Sequence, residues 1–99
     1  MDERRSWTDK RAEILDRPGA GAAYEAARIR CELGRAVRSR REELGLSQAR
    51  LGERAGLRQP AVARFEEGGT MPTIPMLERL AEALEMRLNV EFLPLRGAG

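Results

Sequence analysis

Apolar residues recur every three or four positions through the middle of this chain, and that spacing predicts helices. From about Ala20 to Leu44 the run is rich in Ala, Arg, Glu and Leu and free of proline, with Ala26, Ile29, Leu33, Ala36, Val37 and Leu44 on one helical face. Arg40 and Arg41 stand where the next core residue should fall, and Gly45 after Leu44 is a terminator. Gly34 reads as a weak point inside the helix. Tyr24, Ala27 and Cys31 extend the apolar surface of the N-terminal half further than a small bundle needs, and Cys31 reads as a small core or interface residue.

Two shorter helical stretches follow. Ser47 has the side chain of an N-cap, and Leu46 with Leu51 matches a hydrophobic staple. Gly52 inside this helix is tolerable where close packing requires a small residue, and Gly56 supplies the positive φ of a tight turn. The next helix opens with Arg58-Gln59-Pro60, where proline is acceptable because first-turn amides lack intrahelical partners. Val62 and Phe65 turn inward with Leu51 and Ala55, which leaves Gln59, Ala63 and Arg64 outward. Two helices about such a turn form the helix-turn-helix arrangement that lays its second helix in the DNA major groove. Glu67-Gly68-Gly69-Thr70 ends the unit, and Thr73 caps a further helix over Ile74 to Leu84, with Leu77, Leu80, Ala81 and Leu84 on one stripe.

The period changes at both ends. From Met86 to Pro94 apolar and polar residues alternate, the signature of a half-buried strand. One strand cannot satisfy its own backbone, so its expected partner is the same strand of a second subunit, with Leu88, Val90 and Phe92 as dimerisation residues. At the other end, residues 1–17 are charged, with Trp7, Ala12, Ile14 and Leu15 as the apolar content; Thr8 is placed to cap a short helix over Asp9 to Leu15, and Asp16-Arg17-Pro18-Gly19 breaks it. The expected organisation is an N-terminal arm (1–19), a DNA-binding domain (20–85), a dimerisation strand (86–95) and a tail (96–99). The fold class is all-α: a helix-turn-helix bundle with an N-terminal helical extension and one C-terminal β-strand pairing across a dimer.

Composition narrows the chemistry. Ninety-nine residues make one small domain, and with 4% aromatic residues its core must be built from Leu, Ala, Val, Ile and Met. The net charge is only +2, but 17 of the 18 basic residues are Arg, suited to bidentate contacts with phosphate and guanine. The basic excess is central, six against four acidic residues over 21–45 and four against three over 46–70. With no His and a single Cys, the chain lacks the commonest metal ligand and general base, so no metal, cofactor or enzymatic activity is expected; a small hydrolase is the least favoured reading. No apolar run approaches the ~20 residues of a membrane span, and the charged start has no signal-peptide apolar region, so a cytoplasmic location is expected.

The run from Leu44-Gly45-Leu46-Ser47-Gln48 through Glu66-Glu67-Gly68 to Pro72-Thr73 and Leu77-Glu78-Arg79-Leu80-Ala81 resembles the phage-repressor (Cro/C1, xenobiotic-response-element) helix-turn-helix family. The Asp16-Arg17-Pro18 break, Tyr24 in a long helix and the closing Arg87-Leu88-Asn89-Val90-Glu91-Phe92 segment are similar to HigA-type antitoxins, and that segment also to HipB-type antitoxins, whose strand pairs between subunits. The resemblance implies that Gln48 clamps a DNA phosphate and that Gln59, Ala61 and Arg64 face bases, as Gln suits adenine, Arg guanine and an Ala methyl thymine. Arg58, Pro60 and Thr70 complete the expected DNA-contacting set, with Arg58 as suited to phosphate as to base. Pro60 and Arg58 depart from common members, which place a polar reader and a Ser or Thr cap there. The resemblance also implies a structural ion pair between Arg41 and Glu66. It implies a homodimer on a palindromic operator and, for an antitoxin, a cognate RelE- or HigB-like toxin, an mRNA interferase. Trp7, Ile14, Leu15 and Tyr24 either pack on the domain's own helices or form the toxin-facing surface. The alternative is a stand-alone phage-repressor-like regulator without a toxin.

Overall fold

The computed structural model describes residues 19–95, in which four helices occur in the order α1 (Ala20–Glu43), α2 (Gln48–Ala55), α3 (Gln59–Glu66) and α4 (Ile74–Ala83). The expected short helix over Asp9 to Leu15 lies outside the described residues, as do Trp7, Ile14, Leu15 and the tail. Ser47 caps α2 as its sequence requires, its Oγ accepting from the Arg50 amide at 3.0 Å, and Thr73 caps α4 in the same way from the Met76 amide at 3.2 Å. Helix α3 begins at Arg58 without a side-chain cap, and Pro60 sits in its first turn.

All four described helices close alike. A residue of positive φ follows each last turn, and the next amide reaches back five residues: Leu46 to Arg41, Leu57 to Gly52, Gly69 to Arg64 and Met86 to Ala81. Glycine fills the positive-φ position in the first three, whereas in α4 it is Glu85, at φ 57°. A side chain there carries strain on the order of 1 kcal/mol.

Helix α2 packs on α3 and α4, and α3 packs on α1. Their shared core is Val37, Leu51, Ala55, Val62, Phe65, Leu80, Ala83 and Leu84, with Leu33, Leu44, Leu57, Met76 and Leu77 against it. Two glycines set how closely these elements approach. A Cβ on Gly34 would lie 2.6 Å from the carbonyl oxygens of both Phe65 and Glu66, and one on Gly52 would strike the Leu57 carbonyl. Gly34 is therefore the crossing point of α1 and α3 rather than a weakness of α1.

Three sequence expectations change on α1. Arg40 holds its place on the apolar stripe through a polar contact, its Nε donating to the Leu84 carbonyl at 3.0 Å, while Arg54 on α2 donates to the Ala83 carbonyl at 3.4 Å. Helix α4 has no basic residue in its last turn, so α1 and α2 supply the cations for its unpaired carbonyls and negative dipole end. Ile29 and Ala36, on the same predicted stripe, are exposed: Ile29 lies beyond Leu33, the last residue of α1 against the shared core, and Ala36 borders an open groove beside Leu33 and Val37. Cys31 is exposed as well, so it is not a core residue.

Residues 86–95 form no helix and pair with no other described segment. Leu88 is half-buried, whereas Val90, Phe92, Leu93 and Leu95 are exposed, Phe92 completely.

Candidate nucleic-acid interface

Helix α3 has two faces with opposite roles. Val62 and Phe65 are 0% and 3% exposed and fix the helix to the core. Arg58, Gln59, Pro60 and Arg64 lie exposed on the other side, with Ala61 and Ala63 half-buried between the faces. Such a rigid helix with a polar outer edge is the shape that enters a major groove about 12 Å wide.

Several arginines of α1 and α2 are neutralised by carboxylates, whereas exposed Arg35 on α1 and Arg79 on α4 make no ion pair among the described residues. On α1, Arg28 pairs with Glu25 and Glu32, Arg38 with Glu42 and Arg40 with Glu43. On α2, Arg50 lies 3.6 Å from Glu53 and Arg54 lies 3.9 Å from Glu85. Each exposed pair of this kind contributes well under ~1 kcal/mol, but it neutralises its arginine. Arg58 and Arg64 make no ion pair or side-chain hydrogen bond among the described residues, so two full positive charges remain on the outer side of α3. Gly69 packs against the Arg64 stem, since a Cβ at Gly69 would lie 3.1 Å from the Arg64 Cγ. Thr70 is half-buried in the loop that follows.

Behind the face runs a continuous hydrogen-bonded chain. Arg41 grips Glu66 with two parallel bonds, Nε to Oε2 at 2.6 Å and Nη2 to Oε1 at 3.0 Å, and its Nη1 donates to the Leu46 carbonyl at 2.9 Å. The Glu66 side chain is 4% exposed and that of Arg41 12%, so the bidentate pair is screened from water. Its hydrogen bonds hold the Arg41 guanidinium above its ordinary pKa. That contribution is complete below the pKa of a free arginine and is lost only as pH rises through the raised value, far above neutrality. Gln48 Nε2 then donates to Glu66 Oε1 at 3.1 Å, and Gln59 Nε2 donates to Gln48 Oε1 at 2.6 Å.

The structure thus brings Gln48, Gln59, Arg41 and Glu66 into one network and sets Arg58, Pro60, Ala61 and Arg64 around its outer end. Sequence reading treated the Arg41–Glu66 pair and the DNA-facing glutamines as separate features and missed the bond joining them. The only signal was that Gln48 opens α2 while Glu66 closes α3, and α2 packs on α3. Tyr24 is half-buried on α1 beside Ala27, Arg28, Cys31 and Arg35, away from this network. Among the described residues no cluster of His, Cys, Asp and Glu is arranged to hold a metal ion, and no helix is long and apolar enough to cross a membrane.

Comparison with known proteins agrees with this geometry. Residues 37–90 match the helix-turn-helix family. The chain is 35% identical over 68 residues to an uncharacterised HTH-type transcriptional regulator of Haemophilus influenzae, covering 69% of this chain and 67% of that one. It is 38% identical over 48 residues to a second such regulator, of Methanothermobacter thermautotrophicus, covering 48% of this chain and 70% of the relative. Antitoxin HigA1 of Mycobacterium tuberculosis is 40% identical over 50 residues, half of this chain but only 34% of the antitoxin. No solved structure gives a significant match. With the family match centred on α2 and α3 and the regulators matched over two thirds of their length, the chain belongs to the Cro/C1-type helix-turn-helix family of transcriptional regulators.

Proposed function

We propose that the chain binds a palindromic operator as a homodimer, represses its own operon, and serves as the antitoxin of a type II toxin–antitoxin pair. The observation that carries the DNA-reading part is the outer side of α3, where Arg58 and Arg64 are unneutralised beside the Gln48–Gln59 pair. In this reading Gln48 at the start of α2 contacts a phosphate, Gln59, Ala61 and Arg64 meet base edges, Arg58 meets phosphate or base, and Pro60 and Thr70 complete the contacting set. In the dimer, residues 86–95 pair as strands through Leu88, Val90 and Phe92. Two features support this: the exposed apolar side chains of the segment, and the hydrogen bond from Asn89 to Glu91 at 3.4 Å, which joins side chains two residues apart as on one face of an extended chain. Half-sites would then lie about 34 Å apart.

The test is fluorescence anisotropy with DNA from upstream of the gene, titrated over a range of salt. Affinity should fall steeply with salt as counterions are released. Arg64→Ala should weaken binding by about 1–3 kcal/mol and relax the base preference at one position per half-site. Equal binding by Arg64→Ala and wild type would overturn the assignment of α3 as the reading helix.

Toxin neutralisation is supported by the HigA1 similarity, with Tyr24 and the arm residues Trp7, Ile14 and Leu15 as the proposed toxin-facing surface. The partner would be a RelE-like mRNA interferase encoded beside this gene. The two regulator relatives favour a second reading, a stand-alone regulator without a toxin. Co-expression with the adjacent open reading frame separates them. A stable complex that is lost on deleting residues 1–19 supports the antitoxin, and absence of any complex supports the regulator.

A further inference from the structure

We infer that Glu66, which does not face DNA, dictates which base Gln59 reads, by fixing the polarity of a two-amide relay. This rests on α3 being the DNA-reading helix and adds to it a residue that acts through another. A primary amide has a donor end and an acceptor end, and either end can face a neutral neighbour. A carboxylate locked to an arginine removes that freedom. Both Glu66 oxygens accept from Arg41, and Oε1 retains capacity for one more donor. Only the Nε2 end of Gln48 can meet it, as observed at 3.1 Å. The Oε1 end of Gln48 must then point towards Gln59, and it accepts the Gln59 Nε2 at 2.6 Å.

Gln59 is left with one N–H and its Oε1 to offer outward. One donor beside one acceptor complements the N7 and N6 amino group of adenine in the major groove. Guanine presents two acceptors, N7 and O6, and a Gln59 with one proton already committed cannot donate to both. The buried ion pair is therefore the anchor of a specificity device as well as a structural clamp. Glu66 is a positioning residue in it, and Gln48 transmits the orientation.

The test selects binding sites from a random duplex DNA library, then measures the affinity ratio of each protein for the selected site and for the same site with A changed to G at the position Gln59 reads. That position is identified by Gln59→Ala, which should abolish its base preference. Wild type should favour adenine there by roughly 10- to 100-fold. Glu66→Ala should reduce the ratio to below about fivefold. Because that variant leaves Arg41 unpaired and lowers stability, Arg41→Met/Glu66→Leu serves as a second, apolar replacement that removes the acceptor without stranding a charge. Gln48→Ala, which keeps the ion pair, should give the same loss. A purely structural Glu66 would weaken binding to both duplexes in parallel and leave the ratio unchanged. That result in any folded variant, with Gln59→Ala effective, overturns the inference while the DNA-reading assignment stands. Failure of wild type to select any sequence overturns both.

Discussion

The α2–α3 half of the molecule and its two ends treat their apolar side chains in opposite ways. Around α2 and α3, apolar side chains are enclosed and the inner polar groups have partners: Leu51 and Val62 are fully buried, and no buried side-chain polar atom among the described residues lacks a hydrogen bond. At the ends, Ile29 on α1 and Val90, Phe92, Leu93 and Leu95 after α4 stand in water, although the chain has few large apolar residues to spare. The first arrangement fixes to the core the helix that we propose reads DNA. The second leaves large apolar groups exposed, and where such groups cluster they mark surfaces for other protein chains.

That comparison can be broken first at its strongest point. Arg41→Ala should remove about 3–5 kcal/mol of stability, since it leaves Glu66 buried and unpaired; the loss should appear as a collapsed midpoint in urea unfolding. An unchanged midpoint would mean that the interior of this half does not depend on its polar clamp. Gly34→Ala comes next, at about 1–3 kcal/mol, because the added methyl meets two backbone carbonyls that cannot move without parting α1 from α3. Phe92→Asp should leave the unfolding midpoint of the monomer nearly unchanged, because Phe92 touches no core, yet it should weaken self-association at least tenfold by sedimentation equilibrium. The smallest effect runs the other way. Glu85→Gly should stabilise by roughly 0.5 kcal/mol, since relief of the positive-φ strain exceeds both the greater freedom of glycine in the unfolded chain and a weak surface pair with Arg54.

The two regions also differ in how far sequence revealed them. Caps at Ser47 and Thr73, the glycine stops, and the inward set Leu51, Ala55, Val62 and Phe65 were legible because each depends on neighbours within a few residues. Periodicity on α1 was a poorer guide. It marks which residues share a face but not how far the neighbouring segments enclose that face, so Ile29 and Ala36 read as core and are exposed. Gly34 looked like a defect because its contact is with carbonyls 31 and 32 residues later, a distance no local pattern encodes. Arg40 broke the apolar stripe for a reason that lies on α4. The resemblance to phage repressors supplied the Arg41–Glu66 pair, but only the packed structure joins it to Gln48 and Gln59.

The central claim, that the outer side of α3 reads DNA while the ends serve protein contacts, is tested most directly by amide chemical-shift mapping of the labelled protein during titration with its upstream DNA. The account predicts the largest changes at Gln48 and through Arg58 to Arg64, with small ones over residues 20–33. Changes centred on the N-terminal half of α1, with α3 unmoved, would contradict it.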